Sequence, residues 1–221
     1  MHVFWGMGAL PLVDVVATIV VERPPIGADL CFWALQVDFV DHTQSLGAGH
    51  FGLQHHAGYP GAAALNWGGY HRGGGELEGS ISTLGSAVGN RNTSNYRWQA
   101  GVAYRYRIRR SPERGWRGSI TDLSTGVETV ARDLWIEADH LAQPMVWTEC
   151  FAPCDAPSVS VVWSDLAART TEGEVVTPTG PTVNYQSFED GGCTNTSTER
   201  IGEDIRQATN QPRFNASGQP L

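Results

Sequence analysis

Lysine is absent from this sequence, and all 15 basic residues apart from histidine are arginines. Charged side chains of either sign make up only 17% of the 221 residues, and 23 Asp and Glu residues bring the formal net charge to -8. Such a chain lacks the positive field that binds nucleic-acid phosphates or an anionic lipid surface. We therefore expect no nucleic-acid partner, and we attribute the exclusive use of arginine to the codon bias of a GC-rich genome.

A long uninterrupted hydrophobic run is also missing. Residues 1–21 are largely apolar, but Pro11 and Asp14 interrupt them, and they carry neither a basic start nor a small-residue cleavage site. They predict a first strand rather than a signal peptide or a membrane span, so we expect no membrane insertion. We expect an extracellular or periplasmic location, although no export signal is visible in this segment.

Cysteine is scarce, with four residues at positions 31, 150, 154 and 193. That number is too small for a disulfide framework at this length. A turn at Pro153 could bring Cys150 and Cys154 within disulfide reach, and a link from either of them to Cys193 is the main alternative. Cys31 is expected to be a buried free thiol. A cysteine site for zinc is disfavoured because the tight C-x-x-C spacing is absent.

Segments with helical periodicity are lacking, whereas glycine (26), proline (12) and tryptophan (8) are plentiful. Apolar residues recur with a period of two almost everywhere, most clearly in "VAYRYRIRR" at residues 102–110. About ten to twelve short strands predict an all-β fold, a two-sheet antiparallel β-sandwich of the jelly-roll or concanavalin-like kind. We expect a single domain over residues 1–205 and a loosely ordered C-terminal tail over 206–221.

Three stretches carry a family resemblance: "GHFGLQHH" followed by "ALNWGGY", then "YRWQAGVAYRYRIRR", then "GWRGSITDLSTGVETVARDLWI". Their order resembles an uncharacterised bacterial family of concanavalin-like β-sandwich domains associated with carbohydrate-active proteins. The resemblance covers about residues 30–165 and implies a carbohydrate-related role by analogy. The sequence departs from that pattern at His50 and in the doubled His55 and His56.

Polar and aromatic side chains after the third strand suit a sugar ligand, which needs an aromatic platform with hydrogen-bonding groups around it. In a strand, His50, Gln54 and His56 would share one face. The residues expected to bind a polysaccharide on the concave face are His50, Gln54, His56, Trp67, Tyr70, His71, Arg72, Arg105 and Arg107. The histidines lack metal-ligand spacing, so no metal is predicted there.

The tryptophans divide by their neighbours in the sequence. Trp67, Trp98 and Trp116 are flanked by Gly, Arg or Asn and are predicted to be exposed. The tryptophans within apolar strand patterns are predicted to be core residues: Trp33, Trp135, Trp147 and Trp163.

Two alternatives to a lectin-like binding role remain open. A polysaccharide lyase would use Gln54, His56, Arg72 and Tyr106 to neutralise a uronate and to move a proton. A structural or adhesion module would bind no small ligand. No cofactor is predicted, although Asp38, Asp41 and Asp165 could contribute to a structural calcium site.

Overall fold

The computed structural model describes all residues from Met1 to Leu221 and contains fifteen β-strands, one 3-10 turn at Pro60–Ala62 and no α-helix. The strands are β1 (His2–Phe4), β2 (Leu12–Arg23), β3 (Cys31–Asp41), β4 (Gln44–His55), β5 (Ala63–His71), β6 (Thr93–Asn95), β7 (Ala103–Arg110), β8 (Trp116–Asp122), β9 (Val127–Leu134), β10 (His140–Cys150), β11 (Ser160–Thr170), β12 (Val175–Val176), β13 (Thr182–Asn184), β14 (Thr196–Ile201) and β15 (Asp204–Thr209). No helix has the length and apolarity needed to cross a membrane.

The strands form two antiparallel layers of seven. We call the layer β6-β5-β4-β3-β10-β1-β13 the front sheet and the layer β9-β8-β7-β2-β11-β15-β14 the back sheet. A single pair, Leu12 with Leu141, links the layers by backbone pairing, and β12 forms a short hairpin with β11. The prediction of an all-β antiparallel sandwich is confirmed.

The core lies between the two sheets because alternate side chains of each strand point inward. In β7, Tyr104, Tyr106 and Ile108 are buried, while the arginines between them face outward. The Tyr106 ring meets Phe51 of the front sheet edge to face at 5.3 Å between ring centroids. The alternation predicted for β7 is therefore confirmed, and it fixes which side chains each outer face presents.

Two tryptophans predicted to be exposed are fully buried. Trp67 lies opposite Phe51 on the inward side of the front sheet, and Trp116 lies beneath the guanidinium of Arg110. Trp98 is partly buried against Trp33. Neighbouring Gly and Arg residues misled the prediction, because strand parity, and not the polarity of adjacent residues, sets the direction of a side chain.

The tryptophans predicted to be core residues divide as well. Trp33, Trp147 and Trp163 are buried, as predicted. Trp135 is 39% exposed, because it follows the end of β9 and lies under the Arg114 guanidinium at the surface.

The cysteines form two disulfides, Cys31–Cys150 and Cys154–Cys193. The predicted link from Cys154 to Cys193 is confirmed, whereas the turn disulfide between Cys150 and Cys154 is wrong. Cys31 is not a free thiol, because antiparallel pairing of β3 with β10 places it directly opposite Cys150. Sequence spacing could not reveal a pairing of strands that lie 119 residues apart.

The last residues of the chain are attached to the sandwich by backbone hydrogen bonds. The expected boundary at residue 205 falls inside β15, which pairs with both β11 and β14. Farther along, Gly218 N donates to Val183 O and Leu221 N donates to Pro181 O, so backbone hydrogen bonds attach the last residues to the sandwich.

Candidate functional site

The outer face of the front sheet brings together four polar side chains from three adjacent strands. Gln36 of β3 lies opposite His50 of β4, and Asp38 of β3 lies in one row with Ala48 and Tyr70. Directly opposite residues have Cβ atoms about 5 Å apart, and alternate residues of one strand are roughly 7 Å apart. We call Gln36, Asp38, His50 and Tyr70 the Asp38 cluster.

Asp38 is a half-buried carboxyl at the centre of this cluster. Burial raises its pKa above the ordinary value for aspartate, and no neighbouring cation opposes that shift. The residues paired with Asp38 on either side are both small, Ala48 on β4 and Ala142 on β10. These short side chains leave the carboxyl open to a molecule that lies on the sheet.

The amide of Gln36 has a fixed orientation. Trp147 of β10 donates its indole N–H to Gln36 Oε1 at 3.0 Å. Because that bond uses the oxygen as the acceptor, Nε2 is the atom left to donate to another group. The sheet face therefore carries an oriented N–H donor beside a carboxyl.

His50 lies among aromatic rings on the same face. Its ring centroid is 5.7 Å from Phe32, 6.2 Å from Trp147 and 6.0 Å from Tyr70. Burial in these surroundings lowers the pKa of His50 to about 4, so the imidazole is neutral at physiological pH. On its other side the paired residue is Gly68, where a Cβ would lie 3.0 Å from the side chain of Asn92.

A second carboxyl with a raised pKa occupies the other end of this face. Glu149 of β10 pairs with Phe32, and its Oε1 lies 3.9 Å from His2 Nε2. Burial is the main cause of the raised pKa. Glu149 also lines a pocket of about 520 Å³ that is bordered by the Cys154–Cys193 disulfide.

The residues predicted to bind sugar do not form one site. His50 and Gln54 share the outer face of the front sheet, where Gln54 Oε1 accepts a hydrogen bond from Tyr59. His56 follows the end of β4 and binds the amide of Gly58 through Nδ1. Trp67 is buried in the core and cannot be a platform.

The remaining predicted residues lie farther apart still. Tyr70 is half-exposed at the edge of the face, and His71 and Arg72 are exposed where β5 ends. Tyr106 is buried between the sheets, so no polysaccharide could reach its hydroxyl. Arg105 and Arg107 project from the back sheet, on the opposite side of the sandwich.

The back-sheet arginines are also neutralised. Arg107 makes a two-pronged ion pair with Asp14, in which Nε lies 2.9 Å from Oδ1. Arg109 pairs with Glu128 at 3.2 Å, and Arg105 lies 3.6 Å from Asp165. Arg105 and Arg107, which were predicted to bind a polysaccharide, therefore lie in a row of paired charges.

The three carboxylates considered for calcium are separated. Asp38 belongs to the Asp38 cluster, and Asp165 lies on the back sheet. Asp41 instead groups with His42 and Asp139 at an exposed turn, where ligand atoms lie within 4.8 Å of one another. The predicted set does not converge on one point.

Sequence reasoning placed Gln36 and Asp38 in a buried strand and gave Gln36 no role. The signal was present, because they are two polar residues at alternate positions in the apolar stretch "CFWALQVDFV". Alternate positions place both on one sheet face, away from the core.

Comparisons with known proteins bear on the fold. No protein-family model matches the chain, and no curated protein matches its sequence. Scytalido-glutamic peptidase, solved with a transition state analog inhibitor, has a TM-score of 0.52 at 12% identity, over 93% of this chain and 95% of that chain. The fold of this chain is therefore similar to that of scytalido-glutamic peptidase. Aspergilloglutamic peptidase from Aspergillus niger has a TM-score of 0.48 at 14% identity, over 81% of this chain and 98% of that chain. SCP-B, a member of the eqolisin family of peptidases, has a TM-score of 0.46 at 12% identity, over 90% of this chain and 92% of that chain.

These findings correct the functional prediction. The solved structure that resembles this chain over 93% of its length with a TM-score of 0.52 is a glutamic peptidase, so the prediction of a carbohydrate-binding sandwich is wrong. The lyase alternative fails with it, since Tyr106 is sealed in the core and Arg72 lies apart from it at the surface. At 12% identity the likeness concerns the fold, and the chemistry has to be argued from this chain's own side chains.

His50 predicts how the stability of the protein depends on pH. The pKa of His50 is about 4 in the folded protein and 6.5 in an unfolded chain, so between these values the unfolded state binds a proton that the folded state does not. The free energy of unfolding therefore falls as the pH falls from 6.5 to 4, by at most about 3 kcal/mol. The raised pKa values of Asp38 and Glu149 act in the opposite direction, whereas burial lowers the pKa of His2 to about 4 as well, so His50 supplies only part of the dependence.

We expect His50→Phe to flatten this dependence, as measured by urea unfolding at a series of pH values. His71→Gln, at an exposed position, serves as the control and should retain the dependence of the unmodified protein. Equal slopes for His50→Phe and the unmodified protein would rule out His50 as the cause.

Proposed function

We propose that this chain is a peptidase that acts on polypeptide segments lying across the outer face of the front sheet, with Asp38 as its acid–base group. The observation that carries the proposal is the presence of two neighbouring groups on the outer face of β3. One is the half-buried Asp38 carboxyl, whose pKa is raised, and the other is the Gln36 amide, which is oriented by Trp147. Perturbed carboxyls beside such donors are typical of sites for acyl transfer.

The chemistry needs only these two groups and water. The Asp38 carboxylate takes a proton from a water molecule as the water oxygen adds to the peptide carbonyl carbon. Gln36 Nε2 donates a hydrogen bond to the carbonyl oxygen as that oxygen gains negative charge. When the C–N bond breaks, protonated Asp38 gives its proton to the leaving amine and returns to the carboxylate form.

The surroundings of Asp38 support this assignment. Ala48 and Ala142 keep the space on either side of the carboxyl free for a peptide backbone. The likeness to scytalido-glutamic peptidase, a structure that holds a transition state analog inhibitor, covers 93% of this chain and favours the same class of reaction. That likeness alone would not identify Asp38, because it concerns the fold.

Asp38→Asn tests the proposal. We expect kcat/KM for a fluorescently labelled, denatured protein substrate to fall by about 100-fold, because an amide cannot accept the proton from water. In the unmodified protein, kcat/KM should rise with pH through the pKa of Asp38, at a pH above the ordinary range for aspartate. Peptide release is measured from pH 3 to pH 8.

Glu149→Gln is the matched control, because Glu149 is the other carboxyl of raised pKa on the same face. It should retain activity within about threefold, since Glu149 pairs with Phe32, which lies four residues along β3 from Gln36 and six from Asp38. Loss of activity in Glu149→Gln, with activity retained in Asp38→Asn, would mean that Glu149 and not Asp38 is the acid–base group. Absence of cleavage by the unmodified protein throughout the pH range would refute the peptidase.

We also propose an oxidising location outside the cytoplasm, supported by the two disulfides. The narrower jelly-roll or concanavalin-like classification is likewise a proposal, supported by repeated crossing of the chain between two seven-stranded sheets. The resemblance to the uncharacterised bacterial family of such domains remains a proposal of the same kind.

A further inference from the structure

A cavity lies on the outer face of the back sheet, on the opposite side of the sandwich from the Asp38 cluster. It has a volume of about 900 Å³, within the range of pockets that hold small ligands. Its floor is formed by β2, β7 and β11, and residues 175–181 form a wall along one side. The proposed reaction assigns no role to this cavity.

One end of the cavity carries two carboxylates, Asp165 and Asp204, and the guanidinium of Arg105. Asp165 lies at a β-bulge of β11, between the pairs Ser164–Thr18 and Ala167–Val16, and has a φ of 50°. A bulge of this kind redirects a side chain and is common next to binding sites. Asp204, the first residue of β15, lines the same end and makes no ion pair.

The Asp165 carboxylate retains acceptor capacity for a ligand. Its Oδ2 accepts a hydrogen bond from Thr18 at 3.0 Å, and the Arg105 guanidinium lies 3.6 Å away without forming a hydrogen bond. An ammonium group could therefore bind between Asp165 and Asp204 without breaking a two-pronged ion pair.

The other end of the cavity holds Arg169, which lies opposite Asp14 of β2. Arg169 of β11 donates from Nη1 to the carbonyl of Gly173 at 2.8 Å and has no carboxylate partner. The paired residue Asp14 is already bound to Arg107 through both carboxylate oxygens. The guanidinium of Arg169 thus has N–H donors left for a carboxylate that enters the cavity.

The two ends are separated by a distance that matches a short peptide. Asp165 and Arg169 are four residues apart on β11, and because the β-bulge shortens this stretch by about one residue, they are separated by roughly 10 to 12 Å. An extended tripeptide spans about 10 Å from its amino nitrogen to its carboxylate. We propose that this cavity binds a free peptide of about three residues, with its ammonium group at Asp165 and Asp204 and its carboxylate at Arg169.

Isothermal titration with trialanine tests the proposal, alongside N-acetyl-trialanine and trialanine amide as probes with one blocked terminus. Free trialanine should bind, and blocking either terminus should weaken binding by about tenfold, because each blocked end loses a charge-assisted contact. Equal affinity for the free and blocked peptides, or no binding of trialanine, would overturn the proposal.

Variants locate each terminus. Arg169→Gln should weaken the binding of free trialanine about tenfold and leave the affinity for trialanine amide unchanged. Asp165→Asn should bind free trialanine and N-acetyl-trialanine with equal affinity. Arg114→Gln is the control, since Arg114 pairs with Glu137 at a surface outside the cavity. Asp204→Asn repeats the test of the negative end if Asp165→Asn fails to fold.

The test is independent of the proposed peptidase activity. Titrations are repeated in Asp38→Asn, which should bind trialanine as tightly as the unmodified protein does. Loss of binding in Asp38→Asn, with full binding in Arg169→Gln, would place the peptide on the front sheet and overturn this proposal. Failure of the cleavage assay would leave the titration result unchanged.

Discussion

Replacing Cys31 and Cys150 together with alanine is expected to lower the free energy of unfolding by about 5 kcal/mol, because their disulfide closes a loop of 119 residues. The bond restricts the unfolded chain, and the restriction increases with loop length. The buried position of Cys31 adds the cost of the space that the smaller side chain leaves. Urea unfolding under non-reducing conditions measures the change.

The second disulfide is the matched control for this prediction. Cys154–Cys193 closes a loop of 39 residues, and Cys154 is exposed. Replacing this pair with alanine should cost about 4 kcal/mol or less. A larger loss from Cys154 and Cys193 than from Cys31 and Cys150 would contradict the explanation based on loop length and burial.

Tyr106→Phe is expected to lower the free energy of unfolding by about 2 to 4 kcal/mol. The Tyr106 hydroxyl accepts a hydrogen bond from Leu53 N at 2.9 Å and donates to Trp33 O at 3.3 Å. Leu53 and Trp33 are register partners in β4 and β3, so a side chain of the back sheet bridges two strands of the front sheet. Phenylalanine would leave both backbone groups buried without a partner.

Tyr104→Phe provides the comparison within the same strand. Its hydroxyl accepts one hydrogen bond, from Gln99 N, at a partly buried position, and its loss should cost about 1 kcal/mol. In Tyr106→Phe, hydrogen exchange should also become faster at the Leu53 amide. A cost below about 0.5 kcal/mol with unchanged exchange would mean that Leu53 and Trp33 pair directly once the hydroxyl is gone.

This bridge explains the motif "FGLQ" at residues 51–54 better than a sugar ligand does. Phe51 packs in the core against Tyr106, and the Leu53 amide donates a hydrogen bond to the Tyr106 hydroxyl. A Cβ at Gly52 would lie 1.8 Å from the carbonyl oxygen of Trp33, so no other residue fits there without a shift of the backbone. Phe51 and Leu53 therefore join the two sheets, and Gly52 allows β4 to approach β3 closely.

The sequence predicted well wherever local alternation carries the information. The period of two in "VAYRYRIRR" predicted correctly that Tyr104, Tyr106 and Ile108 face the core and that the arginines face outward. The same rule, applied strictly to residues 31–40, would have placed Gln36 and Asp38 on a common outer face. Predictions from neighbouring residues, as for Trp67 and Trp116, were wrong because strand parity overrides local polarity.

What the sequence determined by itself is the class of fold, because apolar residues at every second position can be buried only by stacking one sheet on another. It also determined the absence of a net positive field. Only the tertiary structure decided which strands are neighbours, and with them the Cys31–Cys150 disulfide, the meeting of Asp38 with His50 and the cavity between Asp165 and Arg169. Pairing between distant strands depends on how complementary surfaces fit together in space, and no local pattern of residues encodes that fit.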